Sequence, residues 1–333
     1  MPKLSIIIRS YNEEQHIGRL LHGIEMQGLP PHEVILVDSG STDSTVPIAE
    51  KYGVRIVHIP KAEFSFGRAL NRGCAVATGE ILVFASAHVY PLRCDWLEQL
   101  AAPFADPEIV LCYGQQTGND VTRFSEHQVF KSWFPAQSIT RQTHTFCNNA
   151  NCAIRQSWWE RHHYDETLTG LEDLAWAKTA RAAGGQIAYS AEAVIAHVHQ
   201  ESWSRIRNRY RREALALRKI EPGIRFSLLD FLTITTRNIA TDLREALRQR
   251  VLSQKAFEIV LFRVNQFLGT WQGHNQSDEI DTPLRNRFYY PAQTDRQSPP
   301  RTDQDIDYGA STAPHQKPTA PKHKDWGNIA RSR

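Results

Sequence analysis

Sulfur is scarce in this chain of 333 residues, which has two methionines and five cysteines. Cys74, Cys94, Cys112, Cys147 and Cys152 are odd in number and scattered, and they form no CxxC pair. That spacing excludes a disulfide framework and a cysteine zinc cluster, and it suits a reducing cytoplasm. Net charge is nearly absent as well: 39 Lys and Arg stand against 36 Asp and Glu, a formal +3. Such a balance excludes a nucleic-acid binder acting through overall charge, so any basic surface is local. No uninterrupted apolar stretch reaches the roughly 18–20 residues of a membrane-spanning helix. The opening MPKLSIIIRSYNEE turns polar too early for a secretory signal peptide and has no small-residue cleavage site. The expected location is the cytoplasm, with peripheral contact at the inner face of the plasma membrane as its variant. A composition that is 41% hydrophobic and 23% charged supports a sizeable core, in one large domain or two smaller ones. No internal repeat is visible.

The first hundred residues alternate short apolar runs with helical patterns. Residues 4–8 (LSIII), 33–37 (EVILV), 55–58 (RIVH) and 80–84 (EILVF) read as strands. Residues 13–26, 44–52 and 66–77 read as helices; in the first, Ile17, Leu20, Leu21 and Ile24 recur at helical spacing. Strands that are apolar throughout and separated by helices predict an α/β fold with a parallel sheet covered on both faces. Ligands bind beyond the carboxyl ends of such strands, so the residues just after each strand are the ones that matter. Residues 114–150 show no period and are expected to form loops or a lid. Residues 171–183 and 201–273 read as helical. Beyond residue 275 aliphatic residues nearly vanish, and a disordered tail is expected to the end of the chain.

Five groups of polar residues stand where chemistry is expected. Ser10-Tyr11-Asn12-Glu13 follows the first strand, and Asp38-Ser39-Gly40-Ser41-Thr42-Asp43 follows the second. An Asp at a strand end can accept hydrogen bonds from a base or ribose, and the small residues after it allow close approach of backbone to ligand. By itself the second group is equally a βα turn with a helix cap. Ser86-Ala87-His88 ends the fourth strand, where His88 is a competent ligand for Mn²⁺ or a similar ion or, more plainly, a hydrogen-bonded histidine. Glu172 and Asp173 open a helix, where first-turn acids are commonplace. Adjacent carboxylates on a helix face different ways, so one can act as general base while the other binds a hydroxyl. His197 and His199 share one face of a strand, a weak metal signal taken alone.

Taken together, these residues resemble the inverting family 2 glycosyltransferases, which have the GT-A fold. The matching blocks are LSIIIRSYNEEQHIGRLL, VILVDSGSTDST, ALNRGCAVATGEILVFASAHVYP, NNANCAIR and GLEDLAWAKTARAAGG. FSFGRALNRG is similar to the rhamnosyltransferase-like branch. The resemblance covers about residues 3–200 and extends to Gly273 through FLGTWQG. It implies a mostly parallel, Rossmann-like sheet over residues 1–200 as the nucleotide-sugar-binding and catalytic domain. A helical extension follows over residues 201–274, packed on that domain, on a membrane or on a partner, and then a tail over residues 275–333. It also implies that Ser10 and Glu13 contact the nucleotide and that Asp38 binds base or ribose. Ser86, Ala87 and His88 take the place of the family's Asp-X-Asp, and Asp173 is the catalytic base with Glu172 beside it. His197 or His199 stands where some members add a diphosphate or metal contact.

The departure lies in Asp-X-Asp, because Ser86 and His88 replace both aspartates. His88 and His199 are expected to hold a divalent ion, Mn²⁺ or Mg²⁺, unless the Arg and Lys complement of the cleft takes its place. The implied reaction is inverting transfer from a nucleotide-diphosphate sugar to an acceptor hydroxyl on a glycan or lipid-linked glycan, in cell-surface or extracellular polysaccharide biosynthesis. The alternatives are a non-catalytic sugar-nucleotide-binding scaffold that has lost its metal site and, last, a nucleotidyltransferase. No nucleic-acid partner is expected. Residues 202–220 (SWSRIRNRYRREALALRKI) read as a basic amphipathic helix, either lying on an anionic membrane or, as favoured, packed on the catalytic domain with a solvated basic face. The more apolar stretches 226–232 and 257–268 suit either cover for a lipid-linked acceptor or a homodimer interface.

Overall fold

The computed structural model describes residues 2–277 and 282–290. Eight strands form one sheet in the order β3-β2-β1-β4-β7-β6-β8-β5. In chain order the amino-terminal elements are β1 (Leu4–Ser10), α1 (Ile17–Glu25), β2 (Glu33–Asp38), α2 (Thr45–Lys51), β3 (Arg55–His58), α3 (Phe66–Val76) and β4 (Ile81–Ser86). There follow β5 (Val89–Pro91), α4 (Trp96–Ala101), β6 (Ile109–Thr117), α5 (Phe124–Trp133), β7 (Asn151–Arg155), α6 (Gln156–Trp159), α7 (Glu172–Ala182) and β8 (Gln186–His197). The carboxy-terminal helices are α8 (Trp203–Ile220), α9 (Leu228–Arg248), α10 (Leu252–Asn275) and α11 (Thr282–Tyr289).

The sheet is covered on both faces, which is why its inner strands are apolar along most of their length. Ile6 and Ile8 face one core with Leu20 and Leu21 of α1 and Trp96 of α4. Ile7, between them, faces the other core with Leu70 of α3, Phe130 of α5 and Trp176 of α7. β1 pairs in parallel with β2 and β4, and β2 with β3, as expected from the sequence. Beyond β4 the sheet is mixed: β6 pairs in parallel with β8, whereas β7 runs antiparallel to both β4 and β6, and β5 antiparallel to β8. The cause is the long excursion after β6, which carries the chain back to the carboxyl edge before β7 begins.

Residues 114–150 are not all loop, because β6 runs on to Thr117 and α5 occupies Phe124–Trp133. The period of α5 was hidden because its buried face mixes Phe124 and Phe130 with Ser125 and Glu126. The polar pair is buried with partners, which a hydrophobicity pattern does not register.

α8 is packed on its neighbours and presents no broad solvated face; only Ser204 and Lys219 of its residues are exposed. Its backbone lies against α10 at Gly269 and Gly273, where a Cβ would come within 2.2 and 2.4 Å of the Arg207 and Arg211 carbonyl oxygens. α9 and α10 share a buried bidentate pair, Arg263 with Asp242, at 2.7 and 3.0 Å. Glu258 of α10 accepts from the Phe124 N–H at 2.8 Å, capping α5 from outside the helix. α11 corrects the expected tail at residues 282–289; that expectation at residues 278–281 and from residue 291 on lies outside the described residues. Among the described residues no helix is long and apolar enough to cross a membrane.

Candidate active site

The loops after β1 and β2 are zipped together by their own polar side chains. Asn12, in a left-handed conformation (φ 54°), accepts from the Thr42 N–H at 2.8 Å, and its own N–H donates to Ser41 Oγ. The Glu13 N–H donates to Thr45 Oγ1 at 2.7 Å, and Glu14 pairs with the backbone of Ser44. Asp38 ends β2 and is buried. It accepts from the Gly40 N–H at 3.0 Å and from Ser41 Oγ at 2.5 Å, while the Ser10 hydroxyl lies 3.4 Å away. Gly40 has φ 86°, a conformation that favours glycine and turns the chain sharply around the carboxylate. The result is a rigid pocket floor whose acceptor is already oriented.

The register of the sheet carries this pocket toward β4 and α7. Arg9 stands opposite Ser86 in the β1–β4 pairing. Its guanidinium reaches Glu172 Oε1 at 2.8 Å and lies 4.8 Å from the Phe66 ring centroid. Leu171, the residue before α7, has φ 54°, an uncommon conformation for a branched side chain. That kink starts the helix with both carboxylates turned inward. Asp173 is buried and accepts from the Asn149 and Leu174 N–H groups at 3.0 and 2.8 Å. Burial, and then the charge of Glu172, push its carboxyl up to about 7. A carboxylate so placed holds its proton weakly enough to ionise near neutrality and strongly enough to take one.

On the other side His88 pairs through Nδ1 with Glu13 at 2.9 Å. Val89 lies opposite His197 in the β5–β8 register, which sets His88 beside the end of β8. His197 Nδ1 meets Gln116 Oε1 at 2.8 Å, and His199 Nδ1 meets Glu126 Oε1 at 2.7 Å. One donor atom from each of His88, His197 and His199 lies within 4.8 Å of the other two. Burial opposes a charged His88, but the charge and hydrogen bond of Glu13 outweigh it and raise that ring's pKa. Burial, and then the neighbouring His199 and His88, hold His197 well below the usual range. Burial likewise opposes the charge of Glu126, yet His199 and Arg209 overcome it and bring the carboxyl down to about 2. Arg209 bridges Glu126 and Glu201, 2.7 Å from each.

Asp38, Ser10, Glu13, Ser86, His88, Glu172, Asp173 and His199 therefore meet along one edge of the sheet. Ala87 is different, since its side chain is buried in the core and only its backbone faces the site. Phe134, in the stretch expected to form loops or a lid, is also buried, whereas Trp133 is 55% exposed. Sequence reasoning passed over Arg9, Gln116, Glu126 and Arg209. Arg9 carried a signal, being the only charged residue in an otherwise apolar strand. It also missed α11, which brings Tyr290 to 4.7 Å from Tyr11, ring to ring, with the Tyr290 hydroxyl donating to the Lys61 carbonyl at 3.3 Å.

Residues 5–166 match the family model described as glycosyl transferase family 2. The O-antigen chain rhamnosyltransferase RfbN of Salmonella typhimurium is 28% identical over 210 residues, which is 59% of this chain and 67% of that protein. Among solved structures, the mannosyltransferase PcManGT from Pyrobaculum calidifontis, in complex with GDP-Man and Mn²⁺, superposes with a TM-score of 0.56. Its identity is 18%, over 82% of this chain and 87% of that one. S. aureus TarS 1–349 in complex with UDP gives 0.51 at 17% identity, over 80% and 90% of the two chains. At these identities the solved structures establish the fold alone: α/β of the GT-A kind with a helical carboxy-terminal region.

Proposed function

Residues 5–166 form a glycosyl transferase family 2 domain, and from that premise we propose that the chain moves a sugar from a nucleoside diphosphate to an acceptor hydroxyl with inversion, using Asp173 as base. The observation that carries this is the buried Asp173 carboxyl, raised to about 7 at the start of α7, on the same edge as Asp38 and His88. Asp38 and Ser10 would receive the base and ribose, and Glu13 and Ser86 would line the path to the diphosphate. Asp173 takes the proton from the acceptor hydroxyl as its oxygen bonds to the anomeric carbon. The bond from that carbon to the diphosphate oxygen breaks on the opposite face, and its electron pair leaves with the nucleotide. Base assistance of this kind is worth about 10²–10⁴-fold. Glu172 does not take the proton, because its carboxylate is held by Arg9; it sets the basicity of its neighbour.

The residues present also fit a divalent cation. His88 and His199 would hold it, and the buried Nε2 of His197 has no hydrogen-bond partner. A cation bound there would neutralise charge on the departing diphosphate. The ordered Glu172–Asp173 pair supports the enzyme over a scaffold. Cell-surface polysaccharide is the proposed product, by analogy with the Salmonella relative. A lipid-linked glycan acceptor is favoured by α9, which exposes Leu228, Leu229 and Leu232 near Arg225, an apolar patch with a basic rim.

A thermal-shift panel of UDP-, GDP- and dTDP-sugars identifies the donor by mass action. With that donor, Asp173→Asn is expected to keep its affinity within about twofold while turnover falls by about 10²–10⁴-fold. Turnover retained in that variant removes Asp173 from the mechanism, and a product of retained anomeric configuration by NMR removes the single displacement.

A further inference from the structure

We propose that His88, His197 and His199 form a three-imidazole metal centre built for a borderline transition-metal ion of the Zn²⁺ or Co²⁺ type, and that Mg²⁺ does not occupy it. The proposal rests on the glycosyltransferase reading only for its purpose, not for its architecture. The three rings come from different places: the turn after β4, the last residue of β8 and the segment beyond it. Their centroids are 4.0 Å apart for His197–His199, 5.1 Å for His88–His197 and 5.8 Å for His88–His199.

In each ring Nδ1 is already engaged, with Glu13, Gln116 and Glu126 respectively. An acceptor oxygen at Nδ1 fixes the proton there and leaves the Nε2 lone pair to point elsewhere. Metal-binding histidines are oriented in this manner, by a carboxylate or carbonyl behind the ring. His197 is 6% exposed, and its Nε2 is buried without a hydrogen-bond partner. An orphaned buried nitrogen is costly unless something binds it. Phe130 lies along the rings of His197 and His199, its centroid 6.0 and 6.1 Å from theirs. The carboxylates of Glu13 and Glu126 lie against two of the three rings, and negative charge so placed favours a divalent ion.

The donor set decides which ion. Imidazole nitrogens suit Zn²⁺, Co²⁺ and Fe²⁺, whereas Mg²⁺ takes oxygen ligands in near-octahedral geometry. Three protein nitrogens leave a coordination position open for an oxygen of the diphosphate. Glu13 and Glu126 stand behind the His88 and His199 rings at Nδ1, and Glu126 and Glu201 are also engaged by Arg209.

The test uses the full chain, freed of metal by chelation and dialysed against Zn²⁺, Co²⁺, Mn²⁺ or Mg²⁺ alone. Bound metal is read by elemental analysis, and Co²⁺ by its visible absorption. One equivalent of Zn²⁺ or Co²⁺ is expected, with an intense low-coordinate Co²⁺ spectrum and no retained Mg²⁺. His197→Ala is expected to weaken Co²⁺ binding at least about 100-fold, and Glu13→Gln about 10–100-fold. Should His197→Ala fail to fold, as circular dichroism reports, the more exposed His88→Ala gives the same reading with about a 10-fold or greater loss. Sub-stoichiometric Zn²⁺ and Co²⁺, affinity unchanged in the folded histidine variants, or equal retention of Mg²⁺ overturns the proposal. Because binding is read without turnover, a chain that transfers sugar but holds no metal defeats this inference alone. A chain that holds metal but transfers nothing defeats only the function proposed above.

Discussion

Replacing Glu172 by Gln removes the charge beside Asp173 while keeping its shape and an acceptor for Arg9. The wild-type carboxyl sits at about 7 against an ordinary 3.8. Burial is the larger cause of that rise and the Glu172 charge the second; removing one neighbouring charge is taken at the lower end of its usual effect, about one pH unit or ~1.4 kcal/mol. Arg9, released from its ion pair, adds to the effect in the same direction. A base must be ionised to act, so the acidic limb of the kcat/KM profile belongs near pH 7 in the wild type and about one unit lower in Glu172→Gln. At pH 6 the ionised fraction rises from roughly one tenth to one half, and the variant is faster by about 5-fold. Above pH 8 both proteins are ionised and the advantage vanishes. The assay is initial-rate transfer from pH 5 to 9 at subsaturating donor. An acidic limb that stays in place, or moves upward, refutes the argument that Glu172 sets the basicity of Asp173.

Three further outcomes test the surroundings of the site. Arg263→Ala leaves Asp242 buried without its partner and is expected to cost about 3–5 kcal/mol in urea unfolding; the double variant Arg263→Met with Asp242→Leu recovers most of it. Tyr290 packs against Tyr11 in the place proposed for the base, so Tyr290→Ala is expected to lower the Kd for the donor several-fold by calorimetry; a weaker donor complex would mean that Tyr290 instead embraces the base. Leu229→Asp together with Leu232→Asp is expected to abolish flotation with anionic liposomes without changing turnover on a soluble acceptor, whereas undiminished flotation places the membrane contact elsewhere.

The parts of the fold legible in the sequence are those in which one physical requirement dominates. β1, β2 and β4 are apolar along most of their length because both faces are covered, and their polar carboxyl ends then stood out. Asp38 by itself read equally as part of a βα turn, and it stood out only together with Ser10–Glu13 at the end of the neighbouring strand. α5 was not visible, because Glu126 is stabilised on a buried face by His199 and Arg209, partners 73 and 83 residues away. The antiparallel entry of β7 was hidden for a related reason: strand direction depends on where the preceding loop ends in space, and a local pattern does not encode that. The helix at residues 282–289 is held by contacts from far along the chain, such as Arg285 with the Phe64 carbonyl at 3.1 Å, in a stretch whose composition alone suggested disorder.

The replacement of Asp-X-Asp by Ser86-Ala87-His88 is better understood as a relocation of charge than as a loss. Carboxylates that would touch a cation directly are absent from the end of β4, yet Glu13 and Glu126 stand directly behind His88 and His199. Negative charge therefore remains close to the place where a diphosphate would lie, screened by an imidazole layer. That layer changes what the site prefers. Oxygen donors accept Mg²⁺, whereas nitrogen donors favour ions that bind imidazole strongly. It also ties the site to the helical extension, because Glu126 is held in place by Arg209 of α8. Removing Arg209 would leave Glu126 buried beside His199 without its counter-charge, so the extension is in effect part of the proposed metal site, and its packing against α5 is a condition for the geometry of the histidines.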